Sequence, residues 1–184
     1  MRYYIGIDPS LTCTAVAVFN DMGFVATHRV IVKPRGKSVR NRISRCDMIA
    51  SKVFGLLRPM RVSTICLEGY SYGSRNGGEF LGELGGILRR RLMLLDRAPI
   101  LEVAPTTLKK FITGKGSGKK TAVIARIASE FGHTFDTDDE FDAFGLGLMA
   151  KFIGTLEVPS IKPRIEAIAK VKEQLRSESD DWQS

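Results

Sequence analysis

The chain has 184 residues, 43% of them hydrophobic, with 28 lysines and arginines against 20 aspartates and glutamates, for a net charge of +8. That length and apolar content suit one domain with a real core, and no apolar stretch approaches the ~20 residues that a membrane-spanning helix needs. The positive balance points to polyanionic partners, chiefly nucleic acid.

In chain order, residues 2–8 (RYYIGID) and 12–20 (TCTAVAVFN) read as strands, 21–23 as a turn, and 24–32 (FVATHRVIV) as a third strand. Such short connections imply an antiparallel meander. A basic loop (34–40) leads into a helix over 39–57, where Ile43, Met48, Ile49, Val53, Leu56 and Leu57 recur at helical spacing and Pro59 closes the segment. STICLEG (63–69) is a short buried strand ending near Glu68, and the glycine-rich loop YSYGSRNGG follows it. Then come a helix over 79–95, a strand over 99–105 and a short helix over 106–113. The loop GKGSGKK (114–120) and helices over 121–131 and 138–153 complete the core. Gly82, Gly85 and Gly86 are costly in a helix interior and point to close packing, against the sheet or a second subunit. The order β-β-β-α-β-α-β-α-α-α gives an α/β fold, a five-stranded mixed sheet of three antiparallel strands and then parallel ones, with helices on both faces. We divide the chain into one domain at 1–155 and a charged C-terminal helix with a frayed tail at 156–184, the helix falling at 162–177.

Cys13, Cys46 and Cys66 lack CxxC or Cys/His spacing, and two of them fall in predicted strands. That favours buried, reduced thiols and a cytoplasmic setting over a disulfide framework or a zinc site. The segment MRYYIGIDPS has no signal-peptide apolar region.

Two strands end in carboxylates, Asp8 and Glu68. An anionic group at the rim of a core costs several kcal/mol unless an arginine or a cation compensates it. Thr137 and Glu140 fit a capping box, so a helix starts at Asp138 and carries Asp139 and Asp142 on one face of its first turns. Acids in a first turn are also favoured by the helix dipole alone, so this pair by itself is equally a helix start. If the Asp8 and Glu68 strands are adjacent, their carboxyl ends deliver both groups to one place. Clustered carboxylates repel, and divalent cations remove the conflict. Two ions about 3.5–4 Å apart can activate water and steady the leaving oxygen of a phosphodiester.

GIDPSLTCTAVAVF, CLEGY, GKGSGKK and DEFDAFGLG, in that order across residues 2–153, together resemble the RuvC family of four-way (Holliday) junction resolvases, which have the ribonuclease H fold. The resemblance implies a homodimer using Mg²⁺ or Mn²⁺, with no small-molecule cofactor. It implies symmetric nicking that leaves 5′-phosphate and 3′-hydroxyl ends. It places the family's four metal-binding acids on Asp8, Glu68, Asp139 and Asp142. It also places basic residues near the cut phosphate on Lys109 and Lys120, with Lys119 a neighbouring candidate. One departure bears on junction selectivity. Where family members often carry a base-wedging aromatic, this chain has Ser71, flanked by Tyr70 and Tyr72. Stacking of either tyrosine on an exposed base is worth roughly 1–3 kcal/mol.

Further DNA contacts are expected from Arg75 in that loop, from Lys110, Lys115, Lys119 and Lys120, and from Arg40 in the cluster Lys33, Arg35, Lys37, Arg40, Arg42 and Arg45. Arg89 to Arg91 form a third basic run. The GKGSGKK loop suits a phosphate track but is not a nucleotide-binding P-loop. The reading is a metal-dependent junction endonuclease. The alternatives are a same-fold nuclease of broader branched-DNA or duplex specificity, a non-cleaving branched-DNA-binding module, and an actin-like kinase. The last normally needs about twice this length.

Overall fold

The computed structural model describes residues 1–69, 78–95, 98–114, 132–155 and 157–181, those at 78, 79 and 176–181 by backbone alone. Three early apolar segments form the meander. β1 (Tyr3–Asp8) pairs antiparallel with β2 (Thr14–Asn20), and β2 with β3 (Gly23–Val30). Asn20 fixes the turn between β2 and β3, its side-chain oxygen accepting from the backbone N–H groups of Met22 and Gly23 at 2.8 and 3.1 Å. β4 (Val62–Glu68) lies parallel to β1, and β5 (Ile100–Val103) parallel to β4, in the order β3-β2-β1-β4-β5. This is the mixed sheet that the sequence predicts. β1 and β4 are covered on both faces, so they read as nearly unbroken apolar runs.

The described helices are α1 (Val39–Leu57), α2 (Gly78–Leu92), α3 (Pro105–Thr113), α4 (Asp138–Thr155) and α5 (Lys162–Asp181). Ser38 caps α1, accepting from the Asn41 N–H at 3.2 Å. β5 stops two residues short of its expected end. Pro105 starts α3 instead, where its missing N–H has no partner to lose. The helix expected over 121–131 lies outside the described residues.

α1 and α2 cover one face, where Ile5, Ile7, Val16, Val18, Ile65 and Leu67 meet Ile49, Val53, Leu84 and Leu88. α3, α4 and α5 cover the other, where Tyr4, Ala17 and Cys66 meet Phe111, Phe144 and Val171. α5 docks into that core: Ala167, Ile168 and Val171 are buried, and Arg164 Nε donates to the Phe111 carbonyl at 3.1 Å. Gln174 closes the free edge of β5, donating to the Glu102 carbonyl at 2.7 Å and accepting from the Glu102 N–H at 2.9 Å.

The glycines that permit close packing between helix and sheet are not mainly those the sequence singles out. Gly82 and Gly86 are exposed, with nothing within 4 Å of where a Cβ would stand; Gly85 alone of the three is buried. The close approach is on α4. A Cβ on Gly6 would sit 2.1 Å from the Ala143 carbonyl oxygen and from the Gly147 nitrogen, so α4 rests backbone to backbone on β1.

Candidate active site

β1 and β4 run in register, Ile7 opposite Leu67, so the next residues, Asp8 and Glu68, stand side by side at the carboxyl edge of the sheet. Strand alternation puts them on the side of Tyr4 and Cys66, the face that α4 covers. The chain leaves β1 through Pro9 into a turn tied by its own hydroxyls. The Ser10 N–H donates to Thr14 Oγ1 at 3.1 Å, and Thr14 Oγ1 donates to the Ser10 carbonyl at 2.7 Å. The turn releases the chain into β2 while Asp8 stays at the rim, 7% exposed.

α4 brings the other two acids. Thr137 Oγ1 accepts from the Glu140 N–H at 3.3 Å, as the capping box expects. The Glu140 carboxylate does something else. It accepts from Thr137 Oγ1 at 3.2 Å and from Thr27 Oγ1, on β3, at 3.0 Å. The first turn of α4 is thereby fastened to the edge strand β3. Together with the Gly6–Gly147 contact, this sets where Asp139 and Asp142 lie.

Electrostatics link the acids. Burial first, then a hydrogen bond with Glu68 and the fields of Glu68, Asp142 and Asp139, push the Asp8 carboxyl up to about 9. Among the described residues no lysine or arginine pairs with Asp8 or Glu68. Among the same residues, no three His, Cys, Asp or Glu side chains stand close enough to grip an ion as they are. The fields of Glu68, Asp142 and Asp139 reach Asp8, but the four acids do not form a closed cage. Cys13 lies within the fields of Asp139 and Asp8. The residue is half-buried, just before β2 and not within it, and burial and then Asp139 push its thiol up. Cys46 and Cys66 are buried free thiols.

The basic residues separate into two kinds. Arg42 grips Glu83 with two bonds at 2.5 and 2.7 Å, Arg45 donates to the Val32 and Leu11 carbonyls, Arg89 pairs with Glu102 and Arg91 with Asp47. These arginines brace the fold. Lys33, Arg35, Lys37 and Arg40 are exposed and form no ion pair among the described residues. Lys109 is exposed on α3, whereas its neighbour Lys110 is held by Glu166 of α5 at 2.6 Å. Tyr70, Tyr72, Arg75, Lys115, Lys119 and Lys120 lie outside the described residues. His28 sits half-buried in β3, and His133 packs at a tilt of 59° against Phe24 with ring centroids 4.5 Å apart.

No protein-family model matches the sequence, and no curated protein does either. Solved structures do. A structure of Thermus thermophilus RuvC matches with a TM-score of 0.70 at 18% identity, over 84% of this chain and 96% of that one. The fold is that of RuvC. T. thermophilus RuvC in complex with Holliday junction substrate matches with a TM-score of 0.69 at 16% identity, over 85% of this chain and 96% of that one. At such identity the RuvC likeness rests on architecture: the meander, the parallel β1–β4–β5 half and the helix laid across β1. The placement of the acids is read from this chain's own residues.

Proposed function

We propose that the chain is a divalent-metal-dependent endonuclease that resolves four-way DNA junctions by paired nicking, leaving 5′-phosphate and 3′-hydroxyl ends. The observation that carries this reading is the meeting of Asp8 and Glu68 at adjacent strand ends, without a cationic side chain among the described residues, with Asp142 and Asp139 near enough to raise Asp8. The shared fold with a RuvC whose structure contains Holliday junction substrate, and the net charge of +8, support it.

The donor set fits the metal. Carboxylate oxygens suit Mg²⁺ or Mn²⁺, and Mg²⁺ keeps several waters and takes substrate phosphate oxygens, so it does not need a closed cage. Asp8, Glu68, Asp139 and Asp142 would hold it, two ions to a site. Such ions supply positive charge at the scissile phosphate and a lowered water pKa. The chain's own groups do the positioning. The strand ends fix Asp8 and Glu68, and Thr27 and Thr137 orient α4 through Glu140. Lys109, with Lys120 and Lys119 of the glycine-rich loop, holds the phosphate and offsets charge in the transition state. Lys33, Arg35, Lys37 and Arg40 track the DNA arms, so binding falls steeply with salt. Each chain carries one such site, and paired nicks on two strands need two, so the working unit is a homodimer.

The test is a panel of immobile four-way junctions, flaps, forks and plain duplex with Mg²⁺ or Mn²⁺. The parent protein should cut junctions in preference, and Asp8→Asn should bind them without cutting. Cleavage by Asp8→Asn at the parent rate would remove the metal assignment. Equal cutting of plain duplex would remove the junction claim and leave a same-fold nuclease of broader specificity.

A further inference from the structure

We infer that a cleft on the α1–α2 side of the same sheet edge takes one unstacked nucleobase of the cleaved strand and sets the base preference of the cut. This rests on the endonuclease reading above and adds a subsite to it. The cleft has a volume of about 330 Å³. Leu11, Pro34 and Phe80 supply its apolar lining, and Gly36, Lys37 and Asn41 line it as well.

Its shape is held by side chains spent on the fold. Arg45 ties the Leu11 and Val32 carbonyls together, so the turn after Asp8 and the basic loop move as one piece. Arg42, fixed by Glu83, lies with its guanidinium carbon 4.6 Å from the Phe80 ring centroid and backs that ring, which is still 40% exposed. Gly36 adopts φ 155°, and a Cβ there would stand 2.5 Å from Asn41 Nδ2. Glycine therefore lets the loop pass over the amide.

The chemistry left over matches a nucleotide. An exposed ring stacks on a base of any sequence. The Asn41 side-chain amide, without a hydrogen-bond partner among the described residues, offers a donor and an acceptor to a base edge. The Lys37 ammonium, without an ion-pair partner among the same residues, meets the adjoining phosphate. Lys33, Arg35 and Arg40, exposed in the same loop and at the start of α1, add to the positive charge there, which favours a polyanion over a neutral small molecule. Position supplies the link to the cut. Leu11 follows Asp8 by three residues, so its Cα lies within about 11 Å of the Asp8 Cα. A DNA strand rises about 3.4 Å per nucleotide, so the captured base lies within about three nucleotides of the scissile phosphate.

The test has a binding arm and a cleavage arm. Four-way junctions carrying a single 2-aminopurine at each of the three positions on either side of the exchange point are titrated with protein in the absence of Mg²⁺ and Mn²⁺. Fluorescence should rise at one position with the parent and stay at the free-DNA level with Phe80→Ala. In the cleavage arm, junctions randomised over the same positions are cut with Mg²⁺. The parent's preference at that position should disappear in Phe80→Ala, because the base is no longer held against Asn41, and junction binding should weaken by about fivefold to a hundredfold, as expected for loss of one stacked base. Asn41→Ala, which leaves the ring in place, should change which base is preferred. Thermal midpoints of both variants show whether the fold survives; if Phe80→Ala does not fold, Phe80→Leu replaces it. A parent profile unchanged in both variants, or no fluorescence rise at any position, overturns the proposal. A parent that never cuts but shows a Phe80-dependent rise keeps the base subsite and removes the nuclease.

Discussion

On one face of the sheet α4 lies so close to β1 that a Cβ on Gly6 would strike the α4 backbone at 2.1 Å; on the other, α1 and α2 stand off by the length of Ile5, Ile7, Leu84 and Leu88. The near face carries the acids and the far face most of the basic loop. The contrast teaches how each kind of site is set. Asp139 and Asp142 are positioned by main-chain contact, which has no rotamers to absorb an error. The braces of the far face are arginine side chains, which can repack. Changes on the near face should therefore reach the chemistry directly, and changes on the far face should cost stability or affinity first.

The sharpest way to break that contrast is a single methyl. Gly6→Ala should cost about 3 kcal/mol or more, at or beyond the usual range for overpacking, because the clash is with backbone. Gly55→Ala, on the exposed side of α1 with nothing within 4 Å, should instead stabilise by roughly 0.5–1 kcal/mol. Urea denaturation of the two variants reads both signs.

Asp8→Asn separates chemistry from stability. Cleavage should fall by on the order of 10²-fold or more. The metal-free fold should become more stable at neutral pH. Asp8 has its carboxyl raised from 3.8 to about 9 in the fold, so the unfolded chain loses this proton first as pH rises, and stability drops from about pH 4 to pH 9. The asparagine variant lacks that drop. The gap should be on the order of a few kcal/mol near pH 8 and close to zero below pH 4, read from melting curves in a metal chelator. Magnesium should narrow it by stabilising the parent alone.

Thr27→Val removes the hydroxyl that fastens Glu140 and should cost about 1–2 kcal/mol. It should slow cutting more than it weakens junction binding, whereas Arg45→Met, on the far face, should cost a similar 1–2 kcal/mol with the opposite pattern. The smallest effect belongs to Asp47→Ala. Its partner Arg91 and Asp47 are both largely solvated, so less than about 1 kcal/mol is at stake, and the change should fade with added salt.

Much of this was legible in the sequence for a physical reason. Apolar runs that end in a carboxylate are costly, so Asp8 and Glu68 stood out before any strand pairing was known. The Thr137–Glu140 spacing marked the start of α4 because capping is local. What was not legible depends on contacts between distant segments. Gly6 and Gly147 meet across nearly the whole chain and carry no periodic signature, while Gly82 and Gly86, which read equally as glycines for packing on the sheet, do not pack on it. Glu140 read as half of a capping box, with no hint of Thr27. The run from Lys33 to Arg45 looked uniform, yet Arg42 and Arg45 have partners and Lys37 and Arg40 do not among the described residues, since a charge pattern does not name its counter-charge. β5 was overextended because an apolar stretch before Pro105 fits a strand or a helix start equally well.

The most direct measurement is an anomalous difference map from crystals soaked in Mn²⁺. Density should appear in the space bounded by Asp8, Glu68, Asp139 and Asp142, and it should vanish in Asp8→Asn. A map with no peak there, or with manganese held only elsewhere on the surface, would contradict the claim that these four acids form the catalytic centre.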